Sequence, residues 1–410
     1  MKSSTILSLL AVTCTFCSCS DIMEEPVVSS VEMKISQELD YKVTPDEAME
    51  IANGFFKQKL SRSAVLNTDY ATITPKSRAE SADTLAYIVT PSDGEGFVLV
   101  STDKRMPPVL AFSETGTFSY TESPDDPVYA NFVSNLDKYR DYLIYSTSGY
   151  DFKKSDGLFD EMIELCPGEH WQWDQFSPIY TKYIHEEHPV SPVGCVALST
   201  GMVMLYCKDG ITIHNEKFDF ENIRKTYYVH TTYQAELDTT PKGPIIEPIY
   251  NSTNSSNLGN RFPNDKFIYS LENANDRIAK LLYYIGKDLN LKYDELTYGY
   301  ASDVIPYLKS LDYNVTTTFL KYDIVDIARH IRQKNIVYIY GSGHAWIIDG
   351  CCFNYISENK DDIEDIFIRC NWGSDPKYNG YYCGDVFMMY WCDFNPYEYF
   401  VIGKSRTSNI

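Results

Sequence analysis

The sequence is poor in basic residues. It contains 36 lysines and arginines against 57 aspartates and glutamates, which gives a formal net charge of −21. A nucleic-acid-binding protein needs clustered positive charge to neutralise phosphates, so this balance argues against a nucleic-acid partner. The sequence also has no internal repeats and no apolar run long enough to cross a bilayer as a mature helix. Its apolar content of 44% can fill sizeable cores, which argues against general disorder.

Metal-binding and redox motifs are missing as well. The eight cysteines beyond residue 20 contain no Cys-x-x-Cys pair, which structural zinc and thioredoxin-like sites normally use. His-Glu-Glu-His at 185–188 has its histidines three residues apart, so it lacks the His-Glu-x-x-His spacing of a zinc helix. The sequence therefore predicts no metal and no cofactor. It predicts mostly buried thiols, with at most one or two disulfides.

The N-terminus has the pattern of an export signal. Lys2 supplies a positive charge, an apolar core spans 6–12, and a short exit segment leads to Cys19. We predict a signal peptide over residues 1–18. A leader that ends in Ser-Cys is typical of a bacterial lipoprotein, so Cys19 is the expected lipidation site and ordinary secretion is the alternative. Either way we expect an exported protein, as a bacterial outer-membrane or cell-surface lipoprotein or in secreted form.

The first half of the remaining chain predicts a small α+β unit over 41–150, preceded by a polar tether at 19–40. A helix is expected from Thr44, because a threonine N-cap, a following proline and acids in the first turn are a helix start signal. Hydrophobic patterning predicts further elements. They are a loop at 61–82, strands at 85–89, 96–101, 109–112 and 116–118, and a helix at 128–145.

A polar segment at 146–157 marks the predicted domain boundary. It carries the dibasic pair Lys153-Lys154, and exposed polar segments of this kind are the usual sites of proteolytic nicking. The block at 155–410 has a size suited to one catalytic domain. A polar stretch at 250–260 is predicted to be a loop inside it.

Cys195 is the strongest candidate for a reactive residue. Gly-Cys-Val-Ala at 194–197 opens an apolar helical pattern that continues to Tyr206. The thiolate is the nucleophilic form of cysteine, and a position in the first turn of a helix favours that anion. A buried structural cysteine is the alternative, and for this segment taken alone it is the commoner case.

A candidate base for this thiol lies far downstream. Gly-His-Ala-Trp at 343–346 follows a predicted strand at 336–340 and places His344 149 residues after Cys195. A glycine before the histidine leaves room for a substrate chain, which makes Gly343 a candidate substrate-binding residue. A merely structural histidine is the less favoured alternative.

A further strand is predicted at 366–370. The two residues that follow it, Asn371 and Trp372, are expected to surround the histidine. The amide of Asn371 could accept the second N–H of the imidazole and fix its tautomer. The indole of Trp372 could cover the reactive pair from water, so Trp372 is also a candidate substrate-binding residue. The order cysteine, histidine, asparagine is that of a papain-type thiol hydrolase, whose site is assembled in space and not in sequence.

Acyl transfer also requires donors for the developing oxyanion. The backbone N–H of Cys195 is one donor. Gln175, in Trp-Asp-Gln at 173–175, can supply a side-chain amide, although a glutamine on a surface loop is the plain alternative.

These motifs together resemble the streptopain family of papain-like cysteine peptidases. The likeness rests on Trp-x-Gln at 173–175, Gly-Cys-Val-Ala at 194–197, Gly-His-Ala-Trp-Ile-Ile-Asp-Gly at 343–350, Asn-Trp-Gly at 371–373 and Asn-Gly-Tyr-Tyr at 379–382. Residues 281–286 are similar to the helix between the two halves of the family's peptidase domain. Residues 96–103 and 109–113 resemble its inhibitory pro-domain.

The resemblance implies an α+β protein with a papain-like, two-lobed peptidase domain over 155–410 and a small α+β pro-domain over 41–150. It implies an exported cysteine endopeptidase made as a zymogen. Cys195 is then the nucleophile, His344 the general base and acid, and Gln175 the oxyanion donor. Asn371 completes the surroundings of the histidine. The implied partners are protein or peptide substrates, the pro-domain as an intramolecular inhibitor and, through the leader, a lipid anchor in a bacterial membrane.

The sequence departs from the family pattern at 198–202, at 374–378 and near 296–302. In the last segment Tyr298 and Tyr300 replace small residues that are expected to border the substrate cleft. These departures leave the Cys/His pair unchanged and bear on substrate preference. Two other functions stay open: a catalytically inactive surface-binding lipoprotein on a protease scaffold, and a thiol amidohydrolase or transglutaminase-like enzyme.

Overall fold

The structure is a computed structural model, and it divides the chain into Met1–Lys42 and one compact unit, Val43–Ile410, which is the subject below. The predicted leader, the tether, the boundary segment at 146–157 and the loop at 250–260 lie outside the described residues. Those predictions, and the domain division built on them, stay predictions. The described residues are 41–59, 70–74, 84–92, 94–119, 126–145, 159–167, 171, 173–226, 265–356, 362–389 and 395–404.

The described helices are interspersed among groups of strands along the unit. The α-helices are Pro45–Lys59 (α1), Ser134–Tyr145 (α2), Pro178–Thr181 (α3), Cys195–Cys207 (α4), Asp265–Asp288 (α5), Val304–Ser310 (α6) and Ile324–Arg332 (α7). A π-helical turn, Tyr129–Val133, precedes α2. The strands are Ala71–Ile73 (β1), Ala86–Val89 (β2), Phe97–Ser101 (β3), Val109–Ser113 (β4), Glu161–Glu164 (β5), Gly210–Ile213 (β6), Glu216–Asp219 (β7), Lys292–Tyr293 (β8), Thr297–Tyr298 (β9), Asn314–Val315 (β10), Leu320–Lys321 (β11), Ile336–Gly341 (β12), His344–Tyr355 (β13), Ile363–Asn371 (β14), Gly380–Cys383 (β15) and Glu398–Gly403 (β16).

Helix α1 begins where the sequence predicts. The backbone N–H of Thr44 donates to the carboxylate of Glu47 at 2.8 Å, and the backbone N–H of Glu47 donates to the hydroxyl of Thr44 at 3.3 Å. This reciprocal pair is a capping box, which satisfies two N–H groups that a helix start leaves without partners. The predicted start of this helix is confirmed.

One large antiparallel sheet joins the N-terminal strands to the C-terminal ones. Its order is β1-β2-β3-β4-β15-β14-β13-β12-β16-β10, with β5 beside β13 and β11 beside β16. The junction is the β4–β15 pair, where Phe112 stands opposite Tyr381 and Ala111 opposite Tyr382. The N-terminal α+β segment therefore extends the sheet that carries His344.

The two faces of this sheet serve two hydrophobic cores. Along β12, Val337 and Ile339 point into a core shared with the N-terminal segment and α7. Ile336 and Tyr338 point into the other core, which contains α4 and α5. This alternation follows from the two-residue period of a strand, and it brings the helix of Cys195 against the sheet of His344.

The predicted fold class is confirmed, because helices and an antiparallel sheet share one unit. Two local predictions are wrong. Residues 116–118 form no strand, because Gly116 turns the chain at a φ of 79° and packs against the backbone of Lys377. The predicted loop at 61–82 contains β1, which pairs with β2.

Two further observations concern the state of the cysteines and the presence of membrane-spanning helices. Each of the seven cysteines in the described segments is a free thiol, and every one except Cys195 is buried. Among the described helices, none is long and apolar enough to cross a membrane.

Candidate active site

The nucleophile candidate opens a buried helix. Cys195 is the first residue of α4 and is half-buried, whereas the following residues of the helix are buried. Gly194 precedes it with a φ of 89°, in the left-handed region that favours glycine. A Cβ at this position would lie 2.6 Å from Cγ2 of Thr297. The turn that presents Cys195 therefore requires a glycine.

Opposing effects act on the Cys195 thiol. Burial raises its pKa, while backbone N–H groups of Ala345, Val196 and Cys195 itself favour the thiolate and lower it. Burial is the larger effect. The helix start alone would predict a lowered pKa. Because burial outweighs it, the group is held as a thiol in this state. The helix of Cys195 also contacts the strand of His344 directly, because the hydroxyl of Ser199 donates to the carbonyl of Ala345 at 3.1 Å.

His344 follows a tight turn at the beginning of β13. Ser342 and Gly343 hold φ values of 45° and 79°, so the chain reverses sharply between β12 and β13. Nε2 of His344 lies 2.8 Å from the backbone carbonyl oxygen of Trp372. A carbonyl only accepts hydrogen bonds, so Nε2 carries the proton of the neutral ring, and Nδ1 is the nitrogen with the free lone pair.

The imidazole is buried among aromatic rings. It stacks on Trp346 with a centroid distance of 5.9 Å, and Trp346 packs in turn against Trp372 at 5.0 Å. Desolvation lowers the pKa of His344 from its ordinary 6.5 to about 4, although the Trp372 carbonyl acts in the opposite direction. The ring is therefore neutral near pH 7, the form in which it can take a proton.

Asn371 does not orient the histidine in this structure. Its Nδ2 donates to the carbonyl of Trp171 at 2.6 Å, and its Oδ1 accepts from Asn379 and from the backbone of Gly373. The expected acceptor of the second imidazole N–H is replaced by the Trp372 carbonyl. Asn371 instead braces the turn that carries this carbonyl, and a catalytic role for it stays a prediction.

The two candidate substrate-binding residues differ in access. A Cβ at Gly343 would meet nothing within 4 Å, so space beside His344 is open, as a substrate-facing glycine requires. Trp372 is 0% exposed and packs against Trp346 and Tyr382. Its indole therefore presents no accessible surface in this state, and its role as a substrate-binding residue stays a prediction. Trp346, whose ring covers the imidazole, was overlooked as a site residue although it lies two positions after His344.

Gln175 links the two halves of the site through its backbone. Its N–H donates to the carbonyl of Gly373 at 3.0 Å, and its carbonyl accepts from Val193 at 2.9 Å. One neighbour lies next to Trp372 and the other lies two residues before Cys195. The side chain is only 8% exposed, and among the described residues none accepts a hydrogen bond from its amide. An amide placed there has the chemistry of an oxyanion donor.

Packing explains why this segment is held so closely. Trp173 is buried, and its ring lies 3.3 Å from where a Cβ at Gly201 would stand. Gly201 belongs to the stretch in which the sequence departs from the family pattern. A Cβ at Gly373 would likewise lie 2.6 Å from Leu198 of α4. Small residues therefore let the Gln175 segment and the Trp372 turn approach the nucleophile helix.

The N-terminal segment contacts the wall behind the histidine. Nδ2 of Asn135 donates to the hydroxyl of Tyr397 at 2.7 Å, and this hydroxyl donates to the carbonyl of Asn131 at 3.0 Å. The ring of Tyr397 fills the space beside Gly341, where a Cβ would clash at 2.0 Å. Gly341 begins the turn that leads to His344, so the N-terminal segment supports that turn through one tyrosine.

The histidines at 185–188 have ordinary structural contacts. His185 lies 3.0 Å from the carbonyl of Ser191 through Nε2 and 3.3 Å from the hydroxyl of Thr181 through Nδ1. His188 stacks on Tyr293. Within the described part of the chain, no cluster of three or more His, Cys, Asp or Glu side chains could hold a metal ion.

The fold and this arrangement at Cys195 are those of the papain-like cysteine peptidase class. Residues 173–382 match the model of the Peptidase C10 family, and residues 40–140 match the model described as Spi protease inhibitor. The first match covers more than half of the chain, so the chain belongs to the Peptidase C10 family, which is the streptopain family. The resemblance inferred from the motifs is confirmed.

Individual relatives are distant. The chain is 25% identical over 221 residues to the thiol protease/hemagglutinin PrtT of Porphyromonas gingivalis, which is 48% of this chain and 24% of that protein. The chain thus spans about a quarter of this relative's length. A solved structure of a prointerpain A fragment from Prevotella intermedia is similar with 18% identity and a TM-score of 0.45, over 81% of this chain and 97% of the fragment.

Proposed function

We propose that the chain is the zymogen of an exported cysteine endopeptidase. The observation that carries the proposal is the packing of the helix that begins at Cys195 on the strand that begins at His344, where the hydroxyl of Ser199 donates to the carbonyl of Ala345 at 3.1 Å. The helix and the strand that begin with these two residues, 149 positions apart in sequence, are therefore in contact. The membership in a peptidase family and the inhibitor-type match at 40–140 support the same function.

In the proposed mechanism His344 activates the thiol. Nδ1 takes the proton of Cys195 while sulfur attacks the carbonyl carbon of the scissile peptide bond. The oxyanion that forms receives hydrogen bonds from the Cys195 N–H and the Gln175 amide. The imidazolium then gives its proton to the leaving amine. Water, deprotonated by His344, hydrolyses the thioester, which releases the acid product and restores the thiol.

The Trp372 carbonyl has two functions in this scheme. It holds the ring with Nδ1 free through a 2.8 Å hydrogen bond, and it continues to accept the Nε2–H when the ring becomes positively charged. A hydrogen bond to a charged donor is stronger than one to a neutral donor, so this contact stabilises the imidazolium more than the neutral ring. That difference favours the proton transfer.

The N-terminal segment is proposed to act as an intramolecular inhibitor. Phe112 stacks on Tyr381 with a centroid distance of 4.9 Å, and Phe132 meets Tyr382 edge-on at 4.8 Å. These contacts bury aromatic surface and extend the sheet, so they hold the segment firmly. Activation is expected to follow cleavage at 146–157, which contains Lys153-Lys154.

Peptide hydrolysis tests the proposal. Wild-type protein should cleave casein and release its N-terminal segment, and Cys195→Ala and His344→Ala should do neither. Cys207→Ala is the matched control, because Cys207 ends the same helix as a buried thiol. Hydrolysis of small amides or acyl transfer without protein cleavage would favour a thiol amidohydrolase. Absence of any acyl chemistry would favour an inactive surface-binding protein.

Export is the second part of the proposal, and it rests on the leader sequence alone. Lipidation at Cys19 would anchor the protein in a bacterial outer membrane or at the cell surface. In cells that express the chain, wild-type protein should partition with membranes and Cys19→Ser should move to the soluble exported fraction. Equal distribution of the two would support secretion without a lipid, and retention of both in the cytoplasm would contradict export.

A further inference from the structure

The hydroxyl of Ser199 connects the helix of Cys195 with the strand of His344. Ser199 is buried in α4, and its Oγ donates to the backbone carbonyl of Ala345 at 3.1 Å. Ala345 directly follows His344. The bond therefore joins the two elements that begin with the proposed nucleophile and the proposed base.

Helix geometry places Ser199 on the same face of α4 as Cys195. Residues four positions apart in an α-helix lie one above the other, about 6 Å apart along the axis. The face of α4 that carries Cys195 is thus the face that meets the beginning of β13. Ala345 also packs in the hydrophobic core that contains α4, so apolar contacts and the hydroxyl bond act between the same two elements.

The beginning of β13 needs an attachment besides β12. Pairing with β12 starts at His344, whereas pairing with β14 starts only at Ile347. Within the described strands, residues 344–346 therefore have a neighbour on one edge only. A buried carbonyl costs free energy when it has no donor, and the Ser199 hydroxyl supplies a donor to the carbonyl of Ala345.

This contact differs from the usual one for a hydroxyl in a helix. Serine and threonine in helices commonly donate to the carbonyl four residues earlier. Thr200, the next residue, does so, because its Oγ1 donates to the carbonyl of Val196 at 2.7 Å. Ser199 donates to a different element instead. The two adjacent hydroxyls therefore offer a test and its control.

We propose that Ser199 is a positioning residue for catalysis: its hydroxyl fastens the beginning of β13 to the nucleophile helix and thereby fixes the backbone of His344 relative to Cys195. The proposal rests on the proposed peptidase function. Without the hydroxyl, the beginning of the strand can shift on the helix. Proton transfer between the thiol and the imidazole is sensitive to such shifts, because a misplacement of about 1 Å can cost about 10²-fold in rate.

The test compares peptide hydrolysis with alkylation of the thiol. Ser199→Ala, Thr200→Val, Gln175→Ala, His344→Ala and the double Ser199→Ala/His344→Ala variant are matured with an added serine protease that is then inhibited. For each, kcat and KM are measured with a peptide substrate, the rate of Cys195 alkylation is measured with iodoacetamide, and the melting temperature is recorded. Alkylation passes through no oxyanion, so its rate reports on the Cys195 and His344 pair even where peptide hydrolysis is lost.

We expect Ser199→Ala to lower kcat and the alkylation rate together by roughly tenfold, with KM changed by less than about twofold. Alanine is favourable in a helix, so the variant should keep α4 intact. Gln175→Ala should lower kcat without slowing alkylation, because it removes an oxyanion donor only. In the His344→Ala background, Ser199→Ala should slow alkylation by less than about twofold, because Ser199 acts through the base.

Thr200→Val is the matched control. It removes an adjacent buried hydroxyl whose bond stays within α4. It should therefore lower the melting temperature about as much as Ser199→Ala does, and it should change kcat and alkylation by less than about twofold.

Three results would overturn the positioning role in an enzyme that cleaves peptides. They are equal kinetic effects of Ser199→Ala and Thr200→Val, a loss of kcat in Ser199→Ala without a loss of alkylation, and an undiminished effect of Ser199→Ala in the His344→Ala background. A wild-type enzyme that is alkylated but cleaves no peptide would instead overturn the proposed function, and this inference with it.

Discussion

Nε2 of His344 and the backbone carbonyl oxygen of Trp372 lie 2.8 Å apart. This bond, and not an asparagine side chain, determines which ring nitrogen of His344 is free. A backbone carbonyl survives any side-chain substitution, so the acceptor remains when residue 371 is changed, although the turn that carries it then loses the hydrogen bonds of Asn371.

The first prediction concerns Asn371→Ala. It removes three hydrogen bonds that brace the Trp372 turn, so we expect a loss of about 2 kcal/mol in the free energy of unfolding. Activity should fall by roughly tenfold or less, well below the 10²–10⁴-fold that His344→Ala should cost. Urea unfolding and peptide kinetics measure the two effects. A loss of activity in Asn371→Ala equal to that in His344→Ala would show that the amide orients the imidazole after all.

The second prediction concerns the pH dependence of zymogen stability. The pKa of His344 is about 4 when folded and 6.5 ordinarily, so between these values the unfolded chain binds the extra proton. The contribution of this group is therefore fully present above pH 6.5 and is lost as pH falls towards 4. The loss amounts to about 3 kcal/mol.

Urea unfolding at pH 7 and at pH 4 measures that loss, in the Cys195→Ala background to prevent self-cleavage. A His344→Gln variant cannot titrate at this position and should lose about 3 kcal/mol less than the parent. Burial also raises the pKa of Asp349, to about 6, so this carboxyl group stabilises the folded protein as pH falls. Because that contribution is the same in both variants, the difference between their losses reports on His344 alone. Equal losses would contradict a buried neutral imidazole.

The third prediction concerns Gly194→Ala. The φ of 89° and the 2.6 Å approach to Thr297 should cost about 1–3 kcal/mol of unfolding free energy and displace Cys195. Gly54→Ala is the opposite case, since a Cβ there meets nothing within 4 Å inside α1. It should stabilise the protein by about 0.5–1 kcal/mol. Thermal unfolding measures the melting temperature of both variants. Equal changes in melting temperature would contradict a strained turn at Gly194.

The fourth prediction concerns release of the N-terminal segment. Asn135→Ala removes the 2.7 Å bond to Tyr397, which is worth about 1–2 kcal/mol when buried, so activation should be roughly tenfold faster. Ser134→Ala is the matched control, because that hydroxyl bonds within the N-terminal segment itself, to the carbonyl of Ala130 in the π-helical turn before α2. The lag before peptide hydrolysis begins, after a fixed dose of added protease, measures the rate. Equal lags for both variants would show that the bond between Asn135 and Tyr397 does not hold the N-terminal segment in place.

The proposed reactive pair, Cys195 and His344, is visible in the sequence because both residues carry their chemistry in their side chains. A cysteine after a glycine at a helix start and a histidine between glycine and Ala-Trp are readable without a structure. The acceptor of the histidine proton is a backbone carbonyl, which every residue has and which leaves no mark in the sequence. Asn371 was therefore the more visible candidate, although the carbonyl of Trp372 makes the contact.

Long-range pairing limited the prediction of the fold in a similar way. Local patterns predict strands at 96–101 and 109–112, which the structure contains as Phe97–Ser101 and Val109–Ser113. The pairing of Phe112 with Tyr381 joins segments far apart in sequence, and its register depends on aromatic packing that no local pattern contains. Gly116 was read as part of a strand because its contact with Lys377 is likewise remote.

The fifth prediction concerns substrate preference. Tyr298 and Tyr300 are 60% and 77% exposed, next to Thr297, which contacts the turn of Gly194. Stacking on these rings should favour substrates with aromatic side chains by about 1 kcal/mol per contact. Tyr300→Ser should therefore lower kcat/KM roughly fivefold for such peptides and leave peptides with small side chains unchanged. Ile356→Ser, at an exposed apolar site at the end of β13, should change neither. An equal loss for both peptide classes would contradict a role in selectivity.

Site-specific labelling of the mature enzyme tests the assignment of Cys195 and His344 most directly. A peptidyl epoxide reacts rapidly only with an activated thiol, and the other described cysteines are buried. We predict one adduct per chain, mapped by mass spectrometry to Cys195, and none in His344→Ala over the same time. An unlabelled wild-type enzyme, an adduct on a different cysteine, or equal labelling of His344→Ala would contradict the assignment.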